Sequence, residues 1–445
     1  MDGICKTGFP RKPISEKNIA FNLVTLMPAP YTIEHLQLSD LSDLEDFPGN
    51  RYLVFWLGDL PLGHLWWANP GQTGRSAGEQ AITGWVRNVL EPALEYYLGK
   101  CNDLGPGEWK GYLAGGEYSR LAALLTNCIR QSAPDYRPQS ISVVVCTRNR
   151  PAAAERCLQS LKACDDQDFE VIVVDNASDD DLTEKMVTGF PGVKYIPEKR
   201  KGLDIARNTG ILHAGHDIVA FTDDDVSIPS NWIQTIKSCF TDPLTMAATG
   251  LVIPLELKTP SQFIFEKEWS FNKGYLPVVF DHQTLEGYSG KGAWEIGAGA
   301  NMAFRKRVFE LVGLFDERLD VGAAGCSGDS EIWYRILAEG WRCNYFPQLY
   351  VYHRHRQSME DLRRQLFSYM RGHVCALLIQ HEKYGHKCNL VRLYRVLPLY
   401  YFNRIRQYLC YRHKREDSTL SAEIKGCISG YKYYQSNKKG KGYDE

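Results

Sequence analysis

The sequence predicts an α/β protein whose centre is a parallel sheet covered by helices on both faces. Between residues 141 and 221, short apolar runs rich in β-branched residues alternate with segments of helical periodicity (runs at 141–145, 170–174, 193–196 and 217–221). Continuous apolar strands of this kind are typical of buried parallel sheets. A chain of 445 residues is too long for one typical core, so we expect three domains, at 1–138, 139–358 and 359–445.

Composition is that of an ordinary globular protein, with 44% apolar and 24% charged residues. The net charge of −1 argues against a nucleic-acid partner. The 13 cysteines are scattered and form no Cys-x-x-Cys pair, so free thiols in a reducing cytoplasm are expected rather than disulfides or zinc. The first residues lack a signal-peptide apolar region, and no long apolar run predicts a membrane span.

The N-terminal domain is predicted to be a small α+β unit. Residues 51–57 and 60–67 read as two strands joined by a turn at 58–59, which makes a hairpin. Pro61 weakens the second strand or places it at a sheet edge. A helix is expected over 82–97, with a kink at Pro92. Trp66 and Trp67 are interpreted as packing residues rather than as a sugar-stacking platform, and 132–138 has the composition of a linker.

Polar and acidic residues follow three of the predicted central strands: 147–149, Asp175 and 223–225. In open parallel sheets, ligands bind beyond the carboxyl ends of the strands. Three adjacent carboxylates raise the cost of ionising one another, and a hard divalent cation that also binds phosphate oxygens removes that cost. The alternative is a solvated acidic turn that caps a helix near Ser230. The convergence of the three strand ends favours a metal–diphosphate site.

Several motifs in the same region carry a resemblance to a known family. The chain reads VVVCTRNR at 143–150, VVDNASD at 173–179, GLDIARNTG at 202–210 and FTDDDV at 221–226. Further on it reads GAGANMAFR at 297–305, GLFDE at 313–317, SGDSEIWYR at 327–335 and VYHRH at 351–355. Together, from about 140 to 356, these motifs resemble family 2 glycosyltransferases of the GT-A fold. The resemblance implies a Rossmann-like nucleotide-diphospho-sugar transferase domain at 139–358.

The resemblance implies inverting transfer of a sugar from a nucleotide diphosphate to a hydroxyl acceptor, assisted by Mg²⁺ or Mn²⁺. It makes 223–225 a DxD-type element, in which Asp225 is favoured as the metal ligand. Asp223 is expected to contact the ribose and is a second candidate metal ligand. Asp224 stays open as a rival metal ligand and as a nucleotide contact. His353 is a candidate extra metal ligand; it shares a strand face with His355, and a structural histidine pair is the alternative.

The nucleotide is expected to lie along Thr147, Arg148 and Asn149. By resemblance, Asp175 reads the base; since a carboxylate accepts the imide N–H of uracil or thymine, a UDP- or dTDP-sugar is favoured. A helix or turn cap is the alternative for Asp175. Arg207 is placed near the base or diphosphate, with a surface ion pair as the alternative.

The catalytic base that an inverting displacement needs is assigned by resemblance to Asp329. The family has a Glu-Asp pair before a helix, and here the pair reads Gly328-Asp329, so only the second position is kept. The alternative is that Asp329 caps the helix that Gly340 ends. Glu331 is interpreted as the partner of Arg335 four residues on.

The C-terminal region, 359–445, reads as helical, basic and aromatic, with a disordered end. Such a stretch is typical of a peripheral contact with an anionic membrane surface, which suits a lipid-linked or glycan acceptor at the inner face of the membrane. Packing on the catalytic domain, or a homodimer, is an equal alternative.

The sequence therefore predicts a metal-dependent glycosyltransferase of cell-surface polysaccharide or glycolipid assembly. Two alternatives stay open. One is a catalytically silent scaffold of the same fold that binds carbohydrate or a partner. The other is a sugar nucleotidyltransferase, which needs a Gly-rich phosphate loop after the first strand; the residues at 147–151 lack those glycines.

Overall fold

A computed structural model describes residues 30–43, 49–68, 79–100, 105, 107–131, 139–286, 292–410 and 418–438. Its centre is a mixed nine-stranded sheet. Four neighbouring strands are parallel to one another, which confirms the predicted parallel sheet. They are β4 (Ile141–Thr147), β5 (Phe169–Asn176), β6 (Val193–Glu198) and β7 (Ile218–Asp223), and they lie in the order β6-β5-β4-β7.

The register of these strands aligns the polar residues at one sheet edge. Thr147 pairs with Asp175, and Cys146 pairs with Asp223. The apolar residues before them are almost fully buried, for example Val144 and Ile172 at 0% exposure. Burial of the strands on both faces therefore leaves their carboxyl ends as the polar rim.

The other half of the sheet contains antiparallel strands that the apolar runs did not predict. β11 (Asn301–Arg305) runs antiparallel to both β7 and β9 (Thr245–Pro254), and β12 (Arg342–His353) runs parallel to β9. β8 (Val226–Ser227) and β10 (Val278–Phe280) both pair antiparallel with β12. Because Val226 pairs with His353, the end of β12 lies against the residues that follow the three aspartates.

Helices cover both faces of the central sheet, and two separate hydrophobic clusters lie beneath them. Thr259 begins one helix with a capping box, in which its hydroxyl accepts from the Gln262 amide. The helices of this region are Pro151–Lys162, Leu182–Val187, Leu203–His213, Trp232–Cys239, Pro260–Glu268, Gln283–Glu286, Val308–Val312 and Gly328–Ala338.

A separate three-stranded sheet lies N-terminal to the central one, in the order β1 (Thr32–Gln37), β2 (Arg51–Leu57) and β3 (Leu60–Trp67). The predicted hairpin of β2 and β3 is present, and β3, with Pro61, is an edge strand. The helices of this N-terminal region are Glu79–Leu98, which contains Pro92, Glu108–Gly115 and Tyr118–Gln131.

The N-terminal sheet packs directly on the central domain. Tyr52 and Trp56 of β2 belong to the same hydrophobic cluster as residues of the central strands. Trp67 is fully buried, and the Trp66 ring meets Phe263 edge to face at 5.3 Å. Both tryptophans are packing residues, as interpreted from the sequence. The predicted linker at 132–138 lies outside the described residues, and the division into three domains stays a prediction.

The C-terminal region is helical, as predicted. The helix Met359–Tyr384 packs along the helix Leu420–Ser436, and small residues permit the close approach, because a Cβ on Gly430 would lie 2.3 Å from the Arg371 carbonyl oxygen. Between them run Lys387–Val391, a π-helical turn at Arg392–Val396 and Leu397–Cys410. Among the described residues, no helix is long and apolar enough to cross a membrane. The disordered end was predicted at 436–445; Ser436 is the last residue of the helix Leu420–Ser436, and 439–445 lies outside the described residues.

Nine cysteines of the described residues are free thiols, as expected. The expectation is wrong for Cys128, which is disulfide-bonded. Neither the scattered spacing nor the composition of the chain indicated this bond.

Glu170, at the start of β5, gives the fold a testable pH dependence. Its carboxylate accepts from the Ser142 hydroxyl and the Gly215 amide and pairs with Lys194. Burial opposes ionisation, but these partners outweigh it and lower the pKa of Glu170 from 4.5 to about 2. With a lowered folded-state pKa, the stabilisation is present above the unfolded-state pKa and is lost as the pH falls towards 2.

Replacing Glu170 with glutamine is therefore expected to lower the free energy of unfolding at pH 7 by about 2 kcal/mol, after allowing for solvent screening of the ion pair. The difference from wild type should shrink steadily between pH 5 and pH 2. Urea unfolding at pH 7 and at pH 3 measures it. An equal difference at both pH values would contradict the assignment.

Candidate active site

The three aspartates and the end of β12 form one cluster of possible cation ligands. Asp223 ends β7, Asp225 precedes β8, and His353 ends β12. One ligand atom from each of these residues lies within 4.8 Å of the others. His353 Nε2 is 3.4 Å from the Asp225 Oδ1 atom. The pairing of β8 with β12 thus brings together side chains that are 128 positions apart in the chain (353 − 225).

Asp224 is turned away from this cluster. Thr147 Oγ1 donates to Asp224 Oδ2 at 2.8 Å, and Arg150 Nη1 lies 2.7 Å from Asp224 Oδ1. Both carboxylate oxygens are therefore engaged, and the side chain is buried. Of the three adjacent aspartates, the two on either side of Asp224 face His353.

Burial and mutual repulsion disfavour the charged forms of these carboxylates. Burial, together with the charge of Asp225, raises the pKa of Asp223 to about 7. Burial also raises the pKa of Asp224 to about 6, although Arg150 opposes the shift. Burial lowers the pKa of His353 to about 4, so its imidazole is neutral near pH 7. Two carboxylates and a neutral imidazole fit Mg²⁺ or Mn²⁺, and a cation there would relieve the repulsion.

Two arginines add positive charge beside the same carboxylates. Arg150 Nη2 donates to Asp225 Oδ2 at 2.9 Å, and Arg356 Nη1 lies 3.9 Å from that oxygen. Both side chains are partly exposed. The sequence interpretation did not assign them, although Arg150 directly follows the polar residues at the end of β4.

Asp329 lies in the first turn of the helix Gly328–Ala338. Its Oδ2 atom accepts from the Gly299 amide at 2.8 Å, and its Oδ1 atom accepts from the Ser330 amide at 2.6 Å. Asn301 of β11 pairs with Thr222 of β7, so the turn that contains Gly299 lies beside the acidic turn. Burial and the charge of Asp320 raise the pKa of Asp329.

Arg207 is buried among carboxylates, so the interpretation as a surface ion pair is wrong. Its Nη1 atom lies 2.9 Å from Asp204 Oδ1 and 2.7 Å from Asp320 Oδ2. A Cβ on Gly299 would lie 2.9 Å from Arg207 Nη2, which explains the glycine there. These contacts place Arg207 next to Asp329 rather than at the surface of its helix.

The departure from the Glu-Asp pattern at 328–329 has a steric reason. A Cβ on Gly328 would lie 2.0 Å from Asp204 Oδ2. That oxygen is buried and has no hydrogen-bond partner among the described residues. Asp204 thus occupies the space beside Asp329 that a larger residue at 328 would need. Asp204 stands in the motif at 202–210 but was given no role there, and Asp320 lies in none of the motifs, because only the fold brings the two residues to this helix.

The residues predicted to line the nucleotide hold two strand-end loops together. Arg148 Nε donates to the Ala177 carbonyl at 3.0 Å, and Asn149 exchanges hydrogen bonds with Asp179. Asp175 is buried, with one oxygen accepting from the Tyr195 hydroxyl at 2.9 Å and the other from the Ser178 hydroxyl. The loops after β4 and β5 are thereby fixed side by side at the sheet edge. The roles of these residues towards a nucleotide stay predictions.

The central domain thus combines a mixed sheet, an acidic turn after β7 and a carboxylate at the start of the helix Gly328–Ala338. Residues 142–310 match the model of glycosyl transferase family 2. This segment of the chain is therefore similar to the glycosyltransferases of that family. Asp329 and His353 lie beyond the matched segment, so the match alone assigns them no role.

Curated glycosyltransferases are similar to part of this chain. The chain is similar to a pre-mycofactocin glycosyltransferase of Mycobacterium tuberculosis, with 27% identity over 255 residues, 56% of this chain and 49% of the relative. It is also similar to a glucosyl-dolichyl phosphate glucuronosyltransferase of Haloferax volcanii, with 24% identity over 201 residues, 43% of this chain and 59% of the relative. The chain thus spans about half the length of the curated relatives it matches.

Among solved structures, a mannosyltransferase from Pyrobaculum calidifontis, in complex with GDP-Man and Mn²⁺, superposes on 67% of this chain and 88% of its own. The TM-score is 0.45 and the sequence identity is 18%.

Proposed function

We propose that the protein is a metal-dependent inverting glycosyltransferase that moves a sugar from a nucleotide diphosphate donor to a hydroxyl acceptor. The observation that carries the proposal is that Asp223, Asp225 and His353 lie close together at one edge of the sheet. Asp329 lies nearby, at the start of the helix Gly328–Ala338. These groups come from distant parts of the chain. A silent scaffold would not need this combination of cation ligands and a hydrogen-bonded carboxylate.

Asp225, Asp223 and His353 would hold a Mg²⁺ or Mn²⁺ ion, which supplies positive charge to a leaving diphosphate. Arg150 and Arg356 lie within 4 Å of Asp225, and their guanidinium groups suit phosphate oxygens. Their position supports the placement of the diphosphate on this side of the acidic turn.

Asp329 accepts the proton of the acceptor hydroxyl as its oxygen bonds to the anomeric carbon and the bond to the diphosphate breaks. The Gly299 and Ser330 amides orient the carboxylate. The raised pKa of Asp329, caused first by burial and then by Asp320, brings the base nearer to the pH at which it works. Single displacement with one base inverts the anomeric centre.

For the donor, we propose a UDP- or dTDP-sugar, because Asp175 lies buried at the end of β5 where a base would bind. Melting protection by a panel of nucleotide sugars, with and without Mn²⁺, tests the proposal. Uridine or thymidine donors should raise Tm only with the metal and should be hydrolysed or transferred. Metal-dependent protection without turnover would favour the scaffold, and nucleotide-sugar formation from a nucleoside triphosphate would favour the nucleotidyltransferase.

We also propose that the C-terminal helices bind an anionic membrane surface, at its cytoplasmic face, where a lipid-linked acceptor would be presented. Residues 383–415 contain nine Lys or Arg and no Asp or Glu. The helix Leu397–Cys410 exposes a stripe with Leu399 at 56%, Phe402 at 63% and Leu409 at 62%. Arg395 and Arg406 flank this stripe and are exposed. Basic residues around an apolar stripe complement anionic headgroups.

The double variant Phe402→Ser/Leu409→Ser is expected to bind vesicles that contain phosphatidylglycerol at least about tenfold more weakly than wild type, because it removes buried apolar area. Co-sedimentation measures this, and Leu212→Ser, at a leucine on another helix that is even more exposed (71%), is the control. Equal binding to neutral phosphatidylcholine vesicles, or a homodimer that the double variant dissociates, would contradict the lipid assignment.

A further inference from the structure

A chain of buried hydrogen bonds leads from His353 to the N-terminal sheet. His353 Nδ1 lies 3.3 Å from His355 Nδ1, and His355 Nε2 lies 3.0 Å from Glu266 Oε2. The other oxygen of Glu266 accepts from the Tyr52 hydroxyl at 3.3 Å and from the Ser270 hydroxyl at 3.0 Å. His353, His355, Glu266 and Tyr52 are all buried, at 7%, 3%, 5% and 0% exposure.

The chemistry of the donors and acceptors fixes the direction of these bonds. An ionised carboxylate only accepts hydrogen bonds, so His355 Nε2 must carry the proton that it donates to Glu266. A neutral imidazole has one N–H, so His355 Nδ1 is left as an acceptor. The proton between the two rings then belongs to His353 Nδ1. The remaining nitrogen, His353 Nε2, carries a lone pair and points towards Asp225.

If these hydrogen bonds ran in the opposite direction, His353 would be unable to bind a cation. If His355 carried protons on both nitrogens, His353 Nδ1 would accept, and Nε2 would carry an N–H aimed at Asp225. A protonated nitrogen cannot bind a metal ion. Glu266 is linked to His353 through His355. Because Glu266 accepts a hydrogen bond from His355, it determines which nitrogen of His353 carries the proton and which is free to bind a metal ion.

We propose that Glu266 and His355 are positioning residues, which hold His353 in the tautomer that presents Nε2 to a divalent cation, and that Tyr52 anchors them from the N-terminal sheet. This inference rests on the proposed function, since it concerns the same metal site. It gives the N-terminal domain a role at that site, through β2 and the helix Pro260–Glu268. Outer partners of metal-bound histidines commonly act in this way.

Titration calorimetry of the full chain with Mn²⁺ alone tests the proposal. Glu266→Gln, which keeps the shape of the side chain, and His355→Phe, which removes the acceptor, should each weaken Mn²⁺ binding about 10- to 100-fold. Tyr52→Phe should weaken it by a smaller factor, because Ser270 still donates to Glu266. His373→Phe is the control: it removes a half-buried imidazole that packs on Trp294 and accepts from Arg392 Nε, and it should leave Mn²⁺ affinity unchanged.

The outcomes separate this inference from the proposed function. Wild-type Mn²⁺ affinity in both Glu266→Gln and His355→Phe, with His353→Ala defective, would overturn the inference alone. Failure of wild type to bind Mn²⁺, or full affinity in His353→Ala, would overturn the metal site and the inference together. If His355→Phe does not fold, the near-isosteric Glu266→Gln decides.

Nitrogen-15 spectra of histidine-labelled protein give a second readout that is independent of activity and metal. The proton should reside on Nδ1 of His353 and on Nε2 of His355. In Glu266→Gln the pattern should become mixed, because an amide both donates and accepts. A wild-type spectrum with the His353 proton on Nε2 would contradict the proposal.

Discussion

Replacing Asp329 with asparagine is expected to lower kcat for sugar transfer by about 10²- to 10⁴-fold, the usual contribution of a general base. Asparagine has nearly the same shape, and its carbonyl oxygen is able to accept from the Gly299 amide as Asp329 Oδ2 does. What it lacks is the capacity to take a proton, and its NH2 group cannot accept from the Ser330 amide as Asp329 Oδ1 does. The loss of activity should therefore appear in kcat, whereas affinity for the donor should change little.

The pH dependence of the transfer rate gives a second test of the role of Asp329. The base acts when deprotonated, so the wild-type rate should fall as the pH drops through the raised pKa of Asp329, above the usual range for an aspartate. Burial is the main cause of that shift and Asp320 the second. The residual activity of Asp329→Asn should lack this acid limb. The control is Glu310→Gln, an exposed carboxylate in the helix Val308–Val312; kcat of Asp329→Asn within threefold of this control would contradict the assignment.

Replacing Asp225 with asparagine is expected to abolish metal-dependent donor binding and to lower transfer by about 10³-fold. The substitution removes a charge that faces both Asp223 and His353, at the centre of the candidate cation site. It also frees Arg150 from one partner. Calorimetry with Mn²⁺ followed by nucleoside diphosphate measures the two binding steps separately.

Asp224→Asn is the matched comparison, because it removes the same charge one residue away. Asp224 is already engaged by Thr147 and Arg150, so its loss should reduce Mn²⁺ affinity much less than the loss of Asp225. The comparison shows whether Asp224 or Asp225 is the metal ligand, which the three adjacent aspartates of the sequence leave open. A larger loss of affinity in Asp224→Asn than in Asp225→Asn would contradict the assignment.

The parallel half of the sheet could be predicted from the sequence because each strand there is a short apolar run followed by polar residues. The antiparallel half could not. β9 is fully buried yet contains Thr245, Thr249 and Gly250, which weaken an apolar signal. Gly250 itself is explained only by tertiary packing, since a Cβ there would lie 1.6 Å from the Leu349 carbonyl oxygen.

The candidate site shows the same division. The acidic turn and Asp329 were identified from motifs, and the strand ends converge as the parallel sheet requires. The position of His353 depends on pairing between a two-residue strand and the end of β12, which no local pattern encodes. The contact of Arg207 with Asp320 and the hydrogen bond of Glu266 with His355 also join residues more than 80 positions apart, and the sequence did not reveal them.

We propose that a divalent cation bridges this protein and a diphosphate at the acidic turn. Crystals grown with Mn²⁺ and UDP would test this directly through the anomalous scattering of manganese. We expect one peak at about 2 Å from a carboxylate oxygen of Asp225 and close to Nε2 of His353, with diphosphate oxygens completing the coordination. A peak elsewhere, or UDP bound with no manganese between it and Asp225, would contradict it.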